Sequence, residues 1–529
     1  MAPRRPTRSV VTAAAVLVAA TAAAVTPSGA HVTAAAAAPA PTTFPRVWLA
    51  TLFAGLPLFA RSTIEAPFEF RLNAAALTSA FDCVGVYSST DRRYTTWDGR
   101  RVARRAPPPL RTDDAMGTCA AAAAAAIIDH LYGDGDAGPL YAAAAAAGAV
   151  LPRLNDTAAC GGGRREVDIT ATPGCVGVAA ARRYVATHLD RDGMNADGTA
   201  GVPPGGIRRP FFDAVSGYAP VNGPAAGVTA LTRWVPLVED VNGAGTYATQ
   251  TVTAAHAGSA RPVLVPPRTL RRLTVPPPYR SPGAYAPDFT CDHVKERGGA
   301  GGGHADPDDL CGKARAVVAA GGDALTETQR VALRFFDRKS TSIAAIPLGL
   351  VTQLATPFAD YLTAELAVNA FTWDALIATW AEKVRHDAVR PASLIPAILP
   401  AARGRWAPAI RTMPHQEYPS ASAAICSGFA AVLGPLGGDR LNLSVPLAAG
   451  SVGGGLPGGP LTLTWPHLDA MAAACGDSRL WGGLHFRDAI KAGDSLGRRV
   501  AKEVLAVVAC RAPGTPGLPP CKEGGGVEA

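Results

Sequence analysis

Apolar residues in this chain recur at three- and four-residue intervals through one segment after another, and they almost never alternate. That periodicity leaves helix packed on helix as the way to bury a core. Helical segments are expected around 115–131, 140–151 and 176–189, and a second set begins near Thr326 and continues through 352–368, 373–389, 422–433, 467–476 and 485–508. At 529 residues, 48% hydrophobic and 17% charged, the chain can bury a large core and has room for several domains. The alanine runs 120–126 and 142–147 favour helix by propensity, although codon bias alone produces such runs. Pro- and Gly-rich connections fill 201–224 and 262–309, where GGAGGGHADPDD reads as a flexible loop, and 449–460 reads as another. The fold class is mainly α.

Arg4, Arg5 and Arg8 precede an apolar stretch at 10–25 and small residues at 28–30, the pattern of a secretory signal peptide covering 1–30. That stretch is short, dominated by Ala and Thr, and followed by Pro and Gly, so a membrane anchor is disfavoured, and no later segment reads as membrane-spanning. Residues 31–44 form an Ala/Pro-rich leader expected to be poorly ordered; 45–310 reads as a helical region with long loops, 311–510 as a helical bundle and 511–529 as a tail. Ten cysteines behind an export signal suit an oxidising compartment. Close pairs are Cys160 with Cys175, Cys291 with Cys311 and Cys510 with Cys521, while Cys426 and Cys475 could join two helices; no CxxC spacing suggests zinc. The net charge of +8 is spread without interleaved aromatics, so a solvated basic surface is favoured over a nucleic-acid partner.

Three short stretches carry chemistry: 383–391 (KVRHDAVRP), 418–423 (YPSASA) and 478–488 (SRLWGGLHFRD). In the first, Lys383 and Arg390 are seven residues apart, close to two helical turns, so both cations are expected on one face of a helix that Pro391 ends or kinks. In the second, Ser420 follows Pro419 and precedes an apolar helical run, so its hydroxyl and the exposed amides can face an anion. In the third, Arg479 supplies a planar fork of donors, Gly482 and Gly483 break the chain, and His485 opens the next helix. Each cation alone would read as a surface charge; together they read as an oxyanion pocket.

The set resembles the three-part motif of the type 2 phosphatidic acid phosphatase and vanadium haloperoxidase superfamily: K-x6-RP, then PSGH, then SR-x5-H-x3-D. The first part matches in full, and the third matches through Ser478, Arg479 and His485, with its acid, Asp488, one residue early. The second departs, since Ala421 and Ser422 stand where family members carry Gly and the acid/base His. Trp380 and His415 sit where haloperoxidases line the halide pocket, and a His at the latter position is similar to algal bromoperoxidases, where chloroperoxidases usually have Phe. Upstream, 218–237 (YAPVNGP through RWVPL) and 325–340 (LTETQRVALRFFDRKS) also look like segments of haloperoxidase-related proteins.

The resemblance implies helical bundles with the site in the C-terminal one, and vanadate as cofactor, held by Lys383, Arg390, Ser420, Ala421, Arg479 and His485. His485 would be its protein ligand to vanadium, Asp488 would fix the tautomer of that ring, and hydrogen peroxide, halide and a small organic substrate would be the reaction partners. His485, Lys383, Ser422 and His415 are the candidate catalytic residues. A serine at 422 cannot shuttle protons at neutral pH, and losing a general acid/base typically costs about 10²- to 10⁴-fold; His415 is the preferred substitute, ahead of His386. Three readings follow. The first is a secreted haloperoxidase oxidising bromide or iodide; the second is an acid phosphatase with His485 as nucleophile; the third is a degenerate oxyanion binder.

Overall fold

The computed structural model describes residues 44–521 apart from 62–65, 91–105, 133, 157–159, 161–171, 195–215, 224–228, 241–244, 287, 294–304, 338, 345 and 448–460. The expected signal peptide, nearly all of the leader, the tail beyond residue 521 and most of the glycine-rich loops lie outside the described residues. The rest is mainly α, as its periodicity implies.

Five helices make an N-terminal group: α1 (Arg46–Arg61), α2 (Ala66–Tyr87), α3 (Asp113–Tyr132), α4 (Asp134–Ala146) and α5 (Pro173–Tyr184). The alanine run of α3 is buried throughout, so it has a packing role that composition could not reveal: small side chains let α2 and α5 approach closely. Residues 216–293 hold little regular structure beyond a short antiparallel pair, β1 (Val238–Asp240) with β2 (Tyr247–Thr249). Their apolar side chains, among them Leu264, Tyr279 and Phe289, are nonetheless buried in the C-terminal core.

That core is built by α6 (Leu310–Ala320), α7 (Glu327–Asp337), α8 (Phe358–His386), α9 (Pro391–Ile398), α10 (Ala421–Leu433), α11 (Leu468–Trp481) and α12 (Arg487–Arg511). α8 runs 29 residues and is buried on most sides; Phe358, Tyr361 and Leu362 belong to the N-terminal core and the remainder to the C-terminal one. The C-terminal core also draws on Phe68, Phe70 and Phe81 of α2, so the two cores do not divide at residue 310. α10 and α12 touch backbone to backbone, since a Cβ on Gly493 would lie 2.2 Å from Ser420 O. A hairpin, β3 (Leu443–Leu447) with β4 (Leu461–Trp465), buries Leu443, Val445 and Leu447 on one face, a short alternation overlooked among the helical patterns.

The acidic end of the loop expected to be flexible is anchored. Asp306 accepts the N–H groups of Leu310 and Cys311, Asp308 those of Arg280 and Ser281, and Asp309 caps α6. Five disulfides use all ten cysteines: the four expected pairs and Cys83–Cys119, which joins α2 to α3. No described helix is long and apolar enough to cross a membrane.

Candidate functional site

Lys383 and Arg390 do not share a helical face. α8 ends at His386 because Asp387 adopts left-handed backbone (φ 48°) and donates its N–H to Lys383 O. Arg390 then lies in extended backbone as the N-cap of α9, and Pro391 starts that helix, where its missing N–H goes unneeded. The turn between the two cations is braced from outside. Tyr218 donates its hydroxyl to Asp387 Oδ1 (2.6 Å), Trp234 its N–H to Asp387 O (2.9 Å), and the N–H of Val389 reaches Thr232 O (3.0 Å). Asn222 fixes this brace, donating to Ala230 O and Arg233 O, so the upstream segment 218–237 serves the first motif directly.

Lys383, Arg390 and Arg479 are each no more than 2% exposed. Lys383 Nζ donates to Gln416 O (2.7 Å) and Glu417 O (3.1 Å); Arg390 donates to His415 O and Leu484 O, both at 2.9 Å. Arg479 pairs with Asp337 Oδ1 at 3.2 Å and donates to Leu333 O, so α7, the core of segment 325–340, seats the third cation. Among the described residues neither Lys383 nor Arg390 forms an ion pair with a carboxylate. Burial, then the charge of Arg390, drives the Lys383 ammonium well below its usual range, and burial holds Arg390 down to about 10. A buried charge without a counterion costs several kcal/mol, roughly, which an entering anion would offset.

The pocket's donors fit a tetrahedral oxyanion such as vanadate or phosphate. Besides the cations they include the amides of Ala421 and Ser422, which the first turn of α10 leaves without intrahelical acceptors. Ser420 is the N-cap of α10; its hydroxyl accepts from Ala423 N–H (3.4 Å), and its own N–H is taken by Ala489 O (2.9 Å). An anion would raise the Lys383 pKa again, so binding above the empty-site value must take up a proton. Sulfate, whose charge is constant over this range, is therefore expected to bind more weakly as pH rises, by up to about tenfold per unit. Calorimetry in buffers of different ionisation enthalpy would read the proton uptake, and a pH-independent affinity would contradict it.

Gly483 (φ 71°) closes α11, its N–H reaching Leu480 O while Leu484 N–H returns to Arg479 O, and this reversal delivers His485 to the pocket. His485 Nε2 lies 3.2 Å from Arg390 Nη1, and its Nδ1 lies 3.1 Å from Glu417 Oε1. A guanidinium only donates, so Nε2 is the acceptor and Nδ1 carries the proton. Burial, then the charges of Arg390 and Lys383, hold this imidazole neutral. Trp380 and His415 are side by side, ring centroids 4.9 Å apart, with Trp380 Nε1 donating to Thr253 O. His415 Nδ1 has two neighbours of opposite demand: Arg390 Nη2 at 3.0 Å, which must donate, and Gln416 O at 3.2 Å, which must accept. The guanidinium contact is shorter and charged, so the His415 proton resides on Nε2. Burial, Lys383 and Arg390 hold the ring neutral. His386 lies instead 3.5 Å from Glu382 and edge-on to Tyr418.

Asp488 does not reach the His485 ring. Its carboxylate is half exposed and lies 2.9 Å from Lys313 Nζ. One residue of offset rotates a helical side chain by about 100°, enough to turn it from the pocket to solvent. Glu417, which the motif comparison passed over, occupies the place instead; its one available signal is an acid sitting inside HQEYPS, between His415 and Ser420. Burial pushes Glu417 up to about 7, against the pull of Phe486 N–H and of Arg390 and Lys383. Lys339, whose ammonium donates to Phe336 O, is a further cation, held down to about 7 by burial and by Arg479.

Residues 363–512, which contain all three motifs, match the family model of the VCPO second helical-bundle domain, the vanadium chloroperoxidase bundle. The C-terminal bundle is similar to that family's second helical-bundle domain. The chloroperoxidase likeness extends through the rest of the fold. A bacterial vanadium-dependent chloroperoxidase in its holo form superposes with a TM-score of 0.69 at 20% identity, over 85% of this chain and 93% of that one. Its apo form gives 0.68 at 19%, covering 85% and 95%. A bacterial vanadium-dependent iodoperoxidase gives 0.55 at 17%, covering 87% and 95%. No curated protein matches the chain.

Proposed function

We propose that the protein binds vanadate and oxidises halide, bromide or iodide, with hydrogen peroxide in an oxidising compartment outside the cytoplasm. The observation that carries this reading is the pair of wholly buried cations, Lys383 and Arg390, which form no ion pair with a carboxylate among the described residues, Arg390 lying 3.2 Å from the unprotonated Nε2 of His485. Lys383, Arg390, Arg479, Ser420 and the amides of Ala421 and Ser422 would hold the oxyanion, and His485 Nε2 would ligate the metal. Vanadate supplies, when bound, a Lewis-acidic centre that polarises peroxide for attack by halide. Lys383 supplies positive charge in a dry pocket, where it stabilises developing negative charge far better than in water. Trp380 and His415 would form an apolar, weakly donating wall suited to a large halide.

Halide and hydrogen peroxide give hypohalous acid and water only with uptake of one proton per turnover. Ser422 does not titrate, and His415, held neutral by Arg390, delivers a proton poorly. Turnover is therefore expected to run about 10²- to 10⁴-fold below that of an otherwise equal site with an acid/base imidazole. The test combines purified protein, orthovanadate, peroxide and bromide, with dye halogenation as readout and aryl phosphate hydrolysis of the vanadate-free protein in parallel. Halogenation that rises in Ser422→His and vanishes in His485→Ala supports the proposal. Phosphate release inhibited by vanadate, without halogenation, would replace it with the phosphatase reading. Vanadate binding with no turnover in either assay would leave an oxyanion binder.

A further inference from the structure

Glu417 touches all three motifs at once. Its N–H donates to Ala388 O (3.0 Å) and its carbonyl accepts from Lys383 Nζ (3.1 Å), both in the first motif. The residue itself immediately precedes Tyr418, the first residue of the second. Its carboxylate oxygen Oε1 accepts from His485 Nδ1 (3.1 Å) and from Phe486 N–H (2.8 Å), both in the third. It is 1% exposed, and the next residue, Tyr418, is pinned through its hydroxyl to Pro276 O at 2.6 Å.

We infer that Glu417 is the positioning residue of the pocket: it holds the His485 proton on Nδ1, so that the Nε2 lone pair is presented beside Arg390 to an incoming oxyanion. This rests on the reading of His485 as the residue that meets the oxyanion. The argument is geometric. A neutral imidazole carries one N–H, and either nitrogen can hold it in free solution. Arg390 Nη1 asks only that Nε2 be an acceptor when the guanidinium sits there, and an oxyanion would draw that guanidinium to itself. Glu417 is fixed on the other side of the ring by its own N–H on Ala388 O and by Phe486 N–H, neither of which uses a donor that an oxyanion would draw away. The carboxylate therefore keeps the tautomer after Arg390 moves its bond to the ligand, and it raises the basicity of Nε2 as carboxylate partners of ligating histidines do. Asp488 cannot share this work, because it is committed to Lys313.

Two readouts test it on the full chain. In ¹⁵N-histidine-labelled protein without vanadate, the Nδ1 and Nε2 shifts of His485, assigned against His485→Ala, report the tautomer. Vanadate affinity is read separately by calorimetry. Wild-type protein should show Nδ1–H; Glu417→Ala should lose the fixed tautomer and weaken vanadate about 10- to 100-fold. Glu417→Gln, whose side-chain oxygen still accepts from Nδ1–H, should keep the tautomer, and Asp488→Asn should leave it unchanged. Glu417→Met, similar in volume, serves if the alanine variant does not fold. A His485 ring that stays Nδ1–H in Glu417→Ala or Glu417→Met, or loses that form in Asp488→Asn, overturns the inference, as does unchanged vanadate affinity in those Glu417 variants. Wild-type protein that fails to bind vanadate would sink the proposed function, while the tautomer would still decide the role of Glu417.

Discussion

Arg390→Ala is expected to weaken oxyanion binding by two to three orders of magnitude while the protein stays folded. The side chain is wholly buried, forms no ion pair with a carboxylate among the described residues, and lies against both histidines of the pocket through Nη1 and Nη2. A charge-assisted hydrogen bond contributes about 1.5–3 kcal/mol, and a planar fork can direct two of them at one anion, so a loss near 4 kcal/mol, about 10³-fold, is reasonable. Stability should move the other way or hardly at all, because removing a buried charge that no ion pair holds relieves a cost even as Leu484 O and His415 O lose their donors. Calorimetric titration with sulfate or vanadate, alongside a thermal melt, would check both halves. A variant that binds the anion within tenfold of wild type would mean that Arg479 and Lys383 suffice.

The second large effect concerns Cys426–Cys475. It joins α10, whose first turn offers the amides of Ala421 and Ser422, to α11, which carries Ser478 and Arg479. Both sulfurs are buried, and the bridge spans a sequence separation of 49 residues. Chain-entropy arithmetic for a loop of that length gives about 4 kcal/mol of stabilisation. Cys426→Ala combined with Cys475→Ala should therefore lower the urea midpoint substantially, with an m-value that rises as the unfolded chain loses its cross-link, and a double variant within about 1 kcal/mol of wild type would contradict it. Anion affinity should fall as well, since the two helices would no longer be held in register across the pocket.

The helical class and the three motifs could be read in the sequence because they are local: spacing within a turn or two decides them. Four disulfide pairs were legible for the same reason, each being close in sequence or bracketing neighbouring helices. What escaped was set by backbone geometry or by distant contacts. Nothing in KVRHDAVRP announces that Asp387 will turn left-handed, and a helix run straight through to Pro391 places Arg390 on the wrong element. The exchange of Asp488 for Glu417 needed the third dimension, because the carboxylate beside the ring comes from the residue just before the second motif and not from the third. The segments 218–237 and 325–340 carried a family likeness without a reason. Tyr218 and Asn222 bracing the Asp387 turn, and Asp337 seating Arg479, supply it.

The path of α8 through both cores separates what is inherited as a unit from what folds as one. The matched family region starts at Thr363, yet the same helix begins at Phe358 and is seated there in the N-terminal core, against Trp48. A fragment cut at the family boundary would bare that first turn and would also lose Tyr218, Trp234 and Asn222, which hold the chain between Lys383 and Arg390. The pocket is thus a property of the whole chain. Substitutions in α2, which packs along α8, can be felt at Lys383 through the rod that carries it.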